Sequence, residues 1–166
     1  MKQIPVTPSL FATVDSKFYK QILKFGNWGK SGRGYASCHI YDCMKVYKEK
    51  YKRIYMHRLV WQLAGRILPK QLDHINGNKL DNRLENLRPA TNSQNNAHRG
   101  KQSNNTSGYR GVSQMIRATQ PKWKAEICIN GKRYHLGSFD SLEIAARVYD
   151  KFAIKYFGEF AHTNFK

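Results

Sequence analysis

One stretch of this 166-residue chain, LDHINGNKLDNRLENLRPATNSQNN (residues 72–96), gathers side chains suited to acid–base and metal chemistry. Asp73 and His74 follow Leu72 at an expected strand end, and a Gly/Asn-rich loop comes next. Asn86 sits between Leu84 and Leu87, and Thr91-x-x-Gln94 is a capping box that predicts a helix from about Asn92, with Asn95 in its first turn. Phosphodiester hydrolysis calls for these residue types. A neutral imidazole can take the proton of the attacking water, and the charge that builds on the phosphate and leaving oxygen suits a hard divalent cation held by oxygens. In that reading Asp73 and the Asn95 carbonyl supply two oxygens, His74 stands beside the cation, and Asn86 fixes the backbone around His74. Taken singly, Asn, Asp and Gly are ordinary turn formers and His74 is a loop histidine. The residues alone leave both readings open.

The elements around this stretch read as strand, loop, strand and helix. A short helix is expected just before it at His57–Ala64, with Leu59, Val60, Leu63 and Ala64 on one side and Gly65 as its stop. Residues 1–56 alternate aromatic and basic positions, with Tyr35, Tyr41, Tyr47, Tyr51 and Tyr55 marking short strands broken at Gly26–Gly34 and near Cys43. They predict a small β-rich region with half-buried tyrosines. Residues 97–108, AHRGKQSNNTSG, are polar and nearly devoid of apolar side chains, and the span 99–108 reads as a linker.

Beyond it, Ile129-Asn130-Gly131-Lys132 is a two-residue hairpin signal. In KWKAEICI, Trp123, Ala125, Ile127 and Ile129 share one face, and Lys122, Lys124, Glu126 and Cys128 share the other. Tyr134 and Leu136 are assigned to the apolar face, and Arg133 and His135 to the polar one. YRGVSQM supplies a third strand. Asp140-x-x-Glu143 is read as a capping box opening a helix whose apolar positions run from Leu142 to Tyr156 and end at Gly158.

Lys and Arg number 29 against 11 Asp and Glu, for a net charge of +18, well beyond what solubility alone asks. Such an excess points to a polyanion. The charge is not a tail: residues 1–100 carry +12 and residues 101–166 carry +6. With 40% hydrophobic and 13% aromatic residues the chain can build a core, which argues against wholesale disorder. No apolar run suggests a signal peptide or a membrane span. Three cysteines (Cys38, Cys43, Cys128) fit reduced thiols in a cytosolic compartment, and a zinc site from Cys38, His39 and Cys43 lacks a fourth ligand.

The text HRLVW, then DHINGNKLDNRLENLR, then TNSQNN resembles the HNH endonuclease motif, the ββα-metal fold, in the version carried by bacteriophage homing endonucleases. The resemblance implies His74 as general base, Asp73 and Asn95 as ligands of one Mg²⁺ or Mn²⁺ per active site, and Asn86 as the central residue that orients the His74 segment. His57 belongs to the same pattern; the residues themselves give it a helix-start or structural role. Asn76, Asn82 and Asn96 are read as loop and helix-start residues.

The run SGYRGV…KWKAEI…KRYHLGSFDSLEIAARVYD…GEFAHTNF resembles the APETALA/ethylene-response-factor DNA-binding domain. It implies an open sheet face on DNA, with Arg110, Glu126, Arg133 and Tyr149 at contact positions of that family. Lys122, Lys124 and His135 join the same basic face. Ser113 and Cys128 stand where arginines are typical, Met115 lies in a region of altered length, and His135 replaces a tryptophan, so the plant sequence preference does not carry over.

The expectation is an α+β chain: a β-rich region (1–56), a ββα nuclease module (57–98), a linker (99–108), and a three-stranded antiparallel sheet packed on one helix (109–166). The expected function is a metal-dependent DNA endonuclease of the phage homing type. It would act as a monomer on double-stranded DNA in the cytoplasm of an infected bacterium, without a small-molecule cofactor or a membrane. A non-catalytic DNA-binding regulator with a structural ββα element is the alternative.

Overall fold

The computed structural model describes residues 1–41, 51–102, 104–115 and 122–165, so Cys43 and Tyr47 lie outside the described residues, as do the side chains of Tyr41 and Tyr51. The chain is mixed α/β with several small sheets, and it divides into two compact units, Met1–Pro89 and Ala90–Lys166.

The first unit opens with an antiparallel hairpin of β1 (Lys2–Thr7) and β2 (Leu10–Val14). Alternation along it buries Ile4, Val6, Ala12 and Val14. Next comes α1 (Ser16–Leu23), a helix inside the segment expected to be β-rich. Phe18 and Ile22, four residues apart, form its buried stripe, and the basic residues around them conceal that period in the sequence. Asp15 stands at the N-cap of α1 yet makes no capping bond. Its carboxylate instead accepts from Leu84 N (2.8 Å), far along the chain.

Strands β3 (Gly29–Lys30), β4 (Ala36–Tyr41) and β5 (Tyr51–Tyr55) form an antiparallel sheet. Helix α2 (Met56–Leu63) begins directly after β5 and buries Met56, His57, Leu59, Val60 and Trp61; Gly65, at φ +71°, turns the chain after it. Met56, Leu59, Val60 and Trp61 join Ile4, Phe18, Ile22, Trp28, Leu72 and Leu87 in one core. Strand β6 (Gln71–His74) pairs with β7 (Leu87–Ala90), and a 3-10 turn, Leu84–Asn86, leads into β7.

In the second unit, α3 (Asn92–His98) starts on the expected capping box. Gln94 N donates to Thr91 Oγ1 (3.2 Å) and Thr91 N donates to Gln94 Oε1 (2.8 Å). Strands β8 (Val112–Met115), β9 (Lys122–Ile129) and β10 (Lys132–Phe139) form an antiparallel sheet in the order β10-β9-β8. The Asn130-Gly131 turn has φ +50° and +80°, the left-handed pair expected of such a hairpin. A bulge between His135 and Gly137 makes Leu136 the extra residue. Helix α4 (Leu142–Phe157) buries Ala145, Ala146, Tyr149, Asp150, Ala153 and Phe157, and its apolar members pack with Val112, Ala125 and Ile127 of the sheet.

Two local expectations are corrected. The cap of α4 is Ser141, whose Oγ accepts from Ile144 N (3.4 Å), because the helix begins at Leu142 and Asp140 lies one residue further out. Tyr134 lies opposite Ile127 on the apolar side but is 47% exposed, because β10 is the edge strand of the sheet. The span read as a linker is bonded into the second unit. Lys101 Nζ donates to Gly108 O (2.8 Å), Asn105 Nδ2 to Tyr109 O (2.8 Å), and Ser107 Oγ to Val112 O (2.7 Å).

Gly111, at φ +71°, lies against the Tyr149 ring, and a Cβ there would overlap the ring and stand 2.8 Å from Glu126 O. Gly111→Ala is therefore expected to lower the stability of the second unit by about 2–4 kcal/mol, read as a shift of its transition in urea unfolding followed by amide NMR. A loss below about 0.5 kcal/mol would mean that Tyr149 moves aside without cost.

Candidate active site in the first unit and basic sheet face in the second

His74 ends β6 with its side chain buried, 4% exposed, and Asp73 before it is 5% exposed. Residues 75–82 then leave and rejoin the core as a loop, and the polar groups buried at its base need partners. Asn86 meets much of that demand. Its Oδ1 accepts from Asn76 N (3.0 Å), its Nδ2 donates to Asp81 O (2.8 Å) and Asn76 Oδ1 (3.0 Å), and its carbonyl accepts from Ile75 N (2.9 Å). Asp81 accepts from Arg83 Nε (2.8 Å), Arg83 NH2 (2.7 Å) and Asn76 Nδ2 (2.8 Å). The bonds from Arg83 hold its carboxyl below the usual range. The hairpin closes the far side: Thr13 N donates to Leu80 O (2.8 Å) and Asn82 N to Thr13 O (2.8 Å).

The loop thereby places Asn82, fully buried, with its Oδ1 3.2 Å from His74 Nε2. Asn82 Nδ2 donates to Leu80 O (3.1 Å) and faces Met56 Sδ (3.6 Å), so Oδ1 is the atom left to accept. This network assigns the proton to His74 Nε2 and leaves the lone pair on Nδ1. Burial is the largest influence on the His74 imidazole and pushes its pKa down, against the Asn82 bond and the Asp73 and Asp81 charges, which favour the cation. The ring is neutral at neutral pH and able to accept a proton. Asn82, read from sequence as a loop residue, is thus the direct partner of His74. No local signal in the sequence separates it from its neighbour Asp81, which is buried as well.

Asp73 is paired with Arg88 of β7, Nε to Oδ2 at 2.9 Å, and both side chains are largely buried. Asn95 is on the first turn of α3 in the second unit, half-buried, with its backbone N donating to Thr91 O (2.9 Å). Among the described residues no group of three His, Cys, Asp or Glu side chains could cage a metal. The donors that the sequence singled out are a carboxylate and an amide oxygen, a set that fits a hard divalent cation also bound by phosphate and water.

His57, on α2, is 7% exposed, and its Nδ1 is buried without a hydrogen-bond partner. Its ring centroid lies 5.2 Å from His74 and 5.0 Å from Tyr35, and Tyr35 is 5.9 Å from His74. Burial, then the nearby His74 and Arg58 charges, lower its pKa to about 3.

In the second unit, Lys122, Lys124, Glu126 and Cys128 alternate onto one face of β9, and Arg133 and His135 pair opposite Cys128 and Glu126. Lys124 Nζ is 3.0 Å from Glu126 Oε2, and Arg133 and His135 are exposed. Arg110 precedes β8, and its guanidinium is bonded within the unit: Nε to Tyr149 Oη (2.7 Å) and NH2 to Asn96 O (2.7 Å).

Comparison with known proteins assigns the class. The family model described as HNH endonuclease matches residues 54–97, which run through α2, β6, β7 and α3. The chain carries an HNH endonuclease domain, and among its relatives is Protein 3.8 of Escherichia phage T7. That protein is 36% identical over 107 residues, 63% of this chain and 87% of that protein, and the chain belongs to its family. The uncharacterized HNH endonuclease L560 of Acanthamoeba polyphaga mimivirus is 34% identical over 116 residues, 68% of this chain and 58% of that one. APETALA2-like protein 2 of Oryza sativa subsp. indica is 45% identical over 60 residues, 36% of this chain and 13% of that protein. Among the described residues no helix is long and apolar enough to cross a membrane.

His57 supplies a pH dependence with a definite sign. The unfolded imidazole titrates near 6.5 and the folded one near 3, so the folded state resists protonation. Its contribution is present in full above pH 6.5 and is lost as pH falls from 6.5 towards 3, by at most about 5 kcal/mol. Urea unfolding of the first unit across this range should show that loss, and His57→Phe should flatten it. An unchanged slope in His57→Phe would assign the acid sensitivity to other groups.

Proposed function

We propose that this protein is a metal-dependent DNA endonuclease of the phage homing type. The reading rests on one observation above the others: residues 54–97 match an HNH endonuclease family and hold a buried, neutral His74 beside Asp73. His74 Nδ1 takes the proton of the attacking water, and Asn82 keeps the ring in the tautomer that can do so. Asn86 is a positioning residue, since it ties Asn76, Asp81 and Ile75 into the loop that fixes Asn82.

Arg88 orients the Asp73 carboxylate, which with the Asn95 side-chain oxygen would hold one Mg²⁺ or Mn²⁺. When bound, such a cation offsets the charge that develops on the phosphate and the leaving oxygen. In-line attack would leave 3′-hydroxyl and 5′-phosphate ends. The polar face of the second unit, with Lys122, Lys124, Glu126, Arg133 and His135, would contact double-stranded DNA, and the net charge of +18 favours that partner. The protein would act as a monomer in an infected bacterium.

Supercoiled plasmid with Mg²⁺ is expected to be nicked by the wild type. EDTA should abolish the reaction, and His74→Ala should lower the rate by about 100-fold or more. Absence of metal-dependent cutting on any DNA, including the genome that encodes the protein, would overturn the nuclease reading. Equal cutting by His74→Ala would remove His74 as base.

Arg133→Ala should weaken target binding by about 1–3 kcal/mol in a fluorescence titration while leaving unrelated DNA nearly unaffected. A uniform loss on both would make Arg133 a phosphate contact.

A further inference from the structure

We infer that Arg110 is a positioning residue that locks helix α3 into the second unit, rather than a residue that reads DNA. The inference rests on the nuclease reading in one respect, that Asn95 of α3 serves the cation.

Several local contacts hold Arg110 within the unit. Its backbone is clamped by Asn164, whose Oδ1 accepts from Arg110 N (2.7 Å) and whose Nδ2 donates to Arg110 O (3.2 Å). Asn164 is held in turn by the buried Asp150 carboxylate of α4, which accepts from Asn164 N (2.8 Å) and Nδ2 (2.9 Å). The next residue is Gly111, whose lack of a side chain lets the Tyr149 ring approach. Tyr149 is 4% exposed, and its hydroxyl accepts from Arg110 Nε.

The same guanidinium reaches the end of α3. NH2 donates to Asn96 O at 2.7 Å, and NH1 stands 3.5 Å from Gly100 O. Asn96 O is one of the last-turn carbonyls that a helix cannot satisfy internally, and a cation there also meets the negative end of the helix dipole. Two further contacts fix α3 in the unit: Asn130 N of the hairpin turn donates to Ser93 Oγ (3.0 Å), and Ala97 is buried with Ile127, Tyr149, Ala153 and Phe160.

A base-reading arginine would have to give up its bonds to Tyr149 Oη and Asn96 O, whereas Arg133 on the sheet face is exposed already. Arg110 therefore connects the sheet–helix core to the residue next to Asn95. The sheet module serves cleavage by seating α3, in addition to any role in choosing the target.

The test uses the full chain with Arg110→Ala and Tyr149→Phe, read by amide exchange, DNA binding in EDTA and turnover at saturating DNA. In Arg110→Ala, the amides of residues 92–98 should exchange about tenfold faster while those of β9 and β10 keep their protection. Turnover should fall by about tenfold, and DNA affinity should change by less than about threefold. Tyr149→Phe should move exchange and turnover in the same direction by about threefold, and the double variant should add little to Arg110→Ala.

Unchanged exchange of α3 with DNA affinity lowered by about tenfold would overturn the proposal and make Arg110 a DNA contact. If Arg110→Ala unfolds the unit, Tyr149→Phe decides: unaltered α3 exchange overturns the clamp. If the wild type cuts no DNA, the nuclease reading falls, while the exchange of α3 still decides whether Arg110 holds it.

Discussion

The arrangement around His74 depends on keeping a loop of turn-forming residues closed with its polar groups satisfied. The bond from His74 Nε2 to Asn82 Oδ1 exists because Asn82 is carried back into the core, and that return depends on the interlocked amides of Asn76, Asn86 and Asp81. An unmade bond in such a place costs about 1–3 kcal/mol, so the loop tends to be either fully made or open. The N-terminal hairpin is recruited to the same end. Thr13 brackets the loop through Leu80 and Asn82, and Asp15 leaves its own helix uncapped to accept from Leu84 N. A helix cap worth about 1 kcal/mol is forgone at α1 and the loop gains a charged acceptor.

The second unit rests on a different constraint, close packing along α4. Ala145, Ala146 and Ala153 leave room for the sheet, and Tyr149 occupies the space that Gly111 leaves open. The buried carboxylate of Asp150 is tolerated because Asn164 and the Phe165 backbone N donate to it. The C-terminal segment is thus bound to the helix by charge-assisted bonds as well as by apolar contact.

Much of this was legible from local rules. The Thr91–Gln94 box, the Asn-Gly hairpin, the alternation of β9, the stops at Gly65 and Gly158, and the approximate span of α2 all follow from short-range chemistry. The failures share a cause, which is competition between neighbouring groups that only tertiary structure resolves. Asp140 and Ser141 can both cap α4, and the helix start at Leu142 gives the cap to serine. Asn82 and its neighbours have the composition of a turn, and nothing local distinguishes the one whose side chain turns inward. Tyr134 has the correct parity but stands on the edge strand β10 and stays half exposed. Helix α1 was hidden because a two-residue stripe, Phe18 and Ile22, is too brief to stand out among basic and aromatic neighbours.

The alternation of the β9–β10 hairpin has an evolutionary consequence. Its apolar side holds Ala125 and Ile127, while Cys128, Arg133 and His135 lie on the other side and belong to none of the core clusters. Substitutions on that side draw little on the stability of the fold. The bulge at Leu136 further separates them in register from Gly137–Phe139, which pair with β9 beside the core. A lineage carrying this hairpin can explore new surface chemistries by single codon changes while its interior stays constant. The fold thus offers a face free to diverge in the second unit, while in the first a change to one amide of the His74 loop disturbs several others.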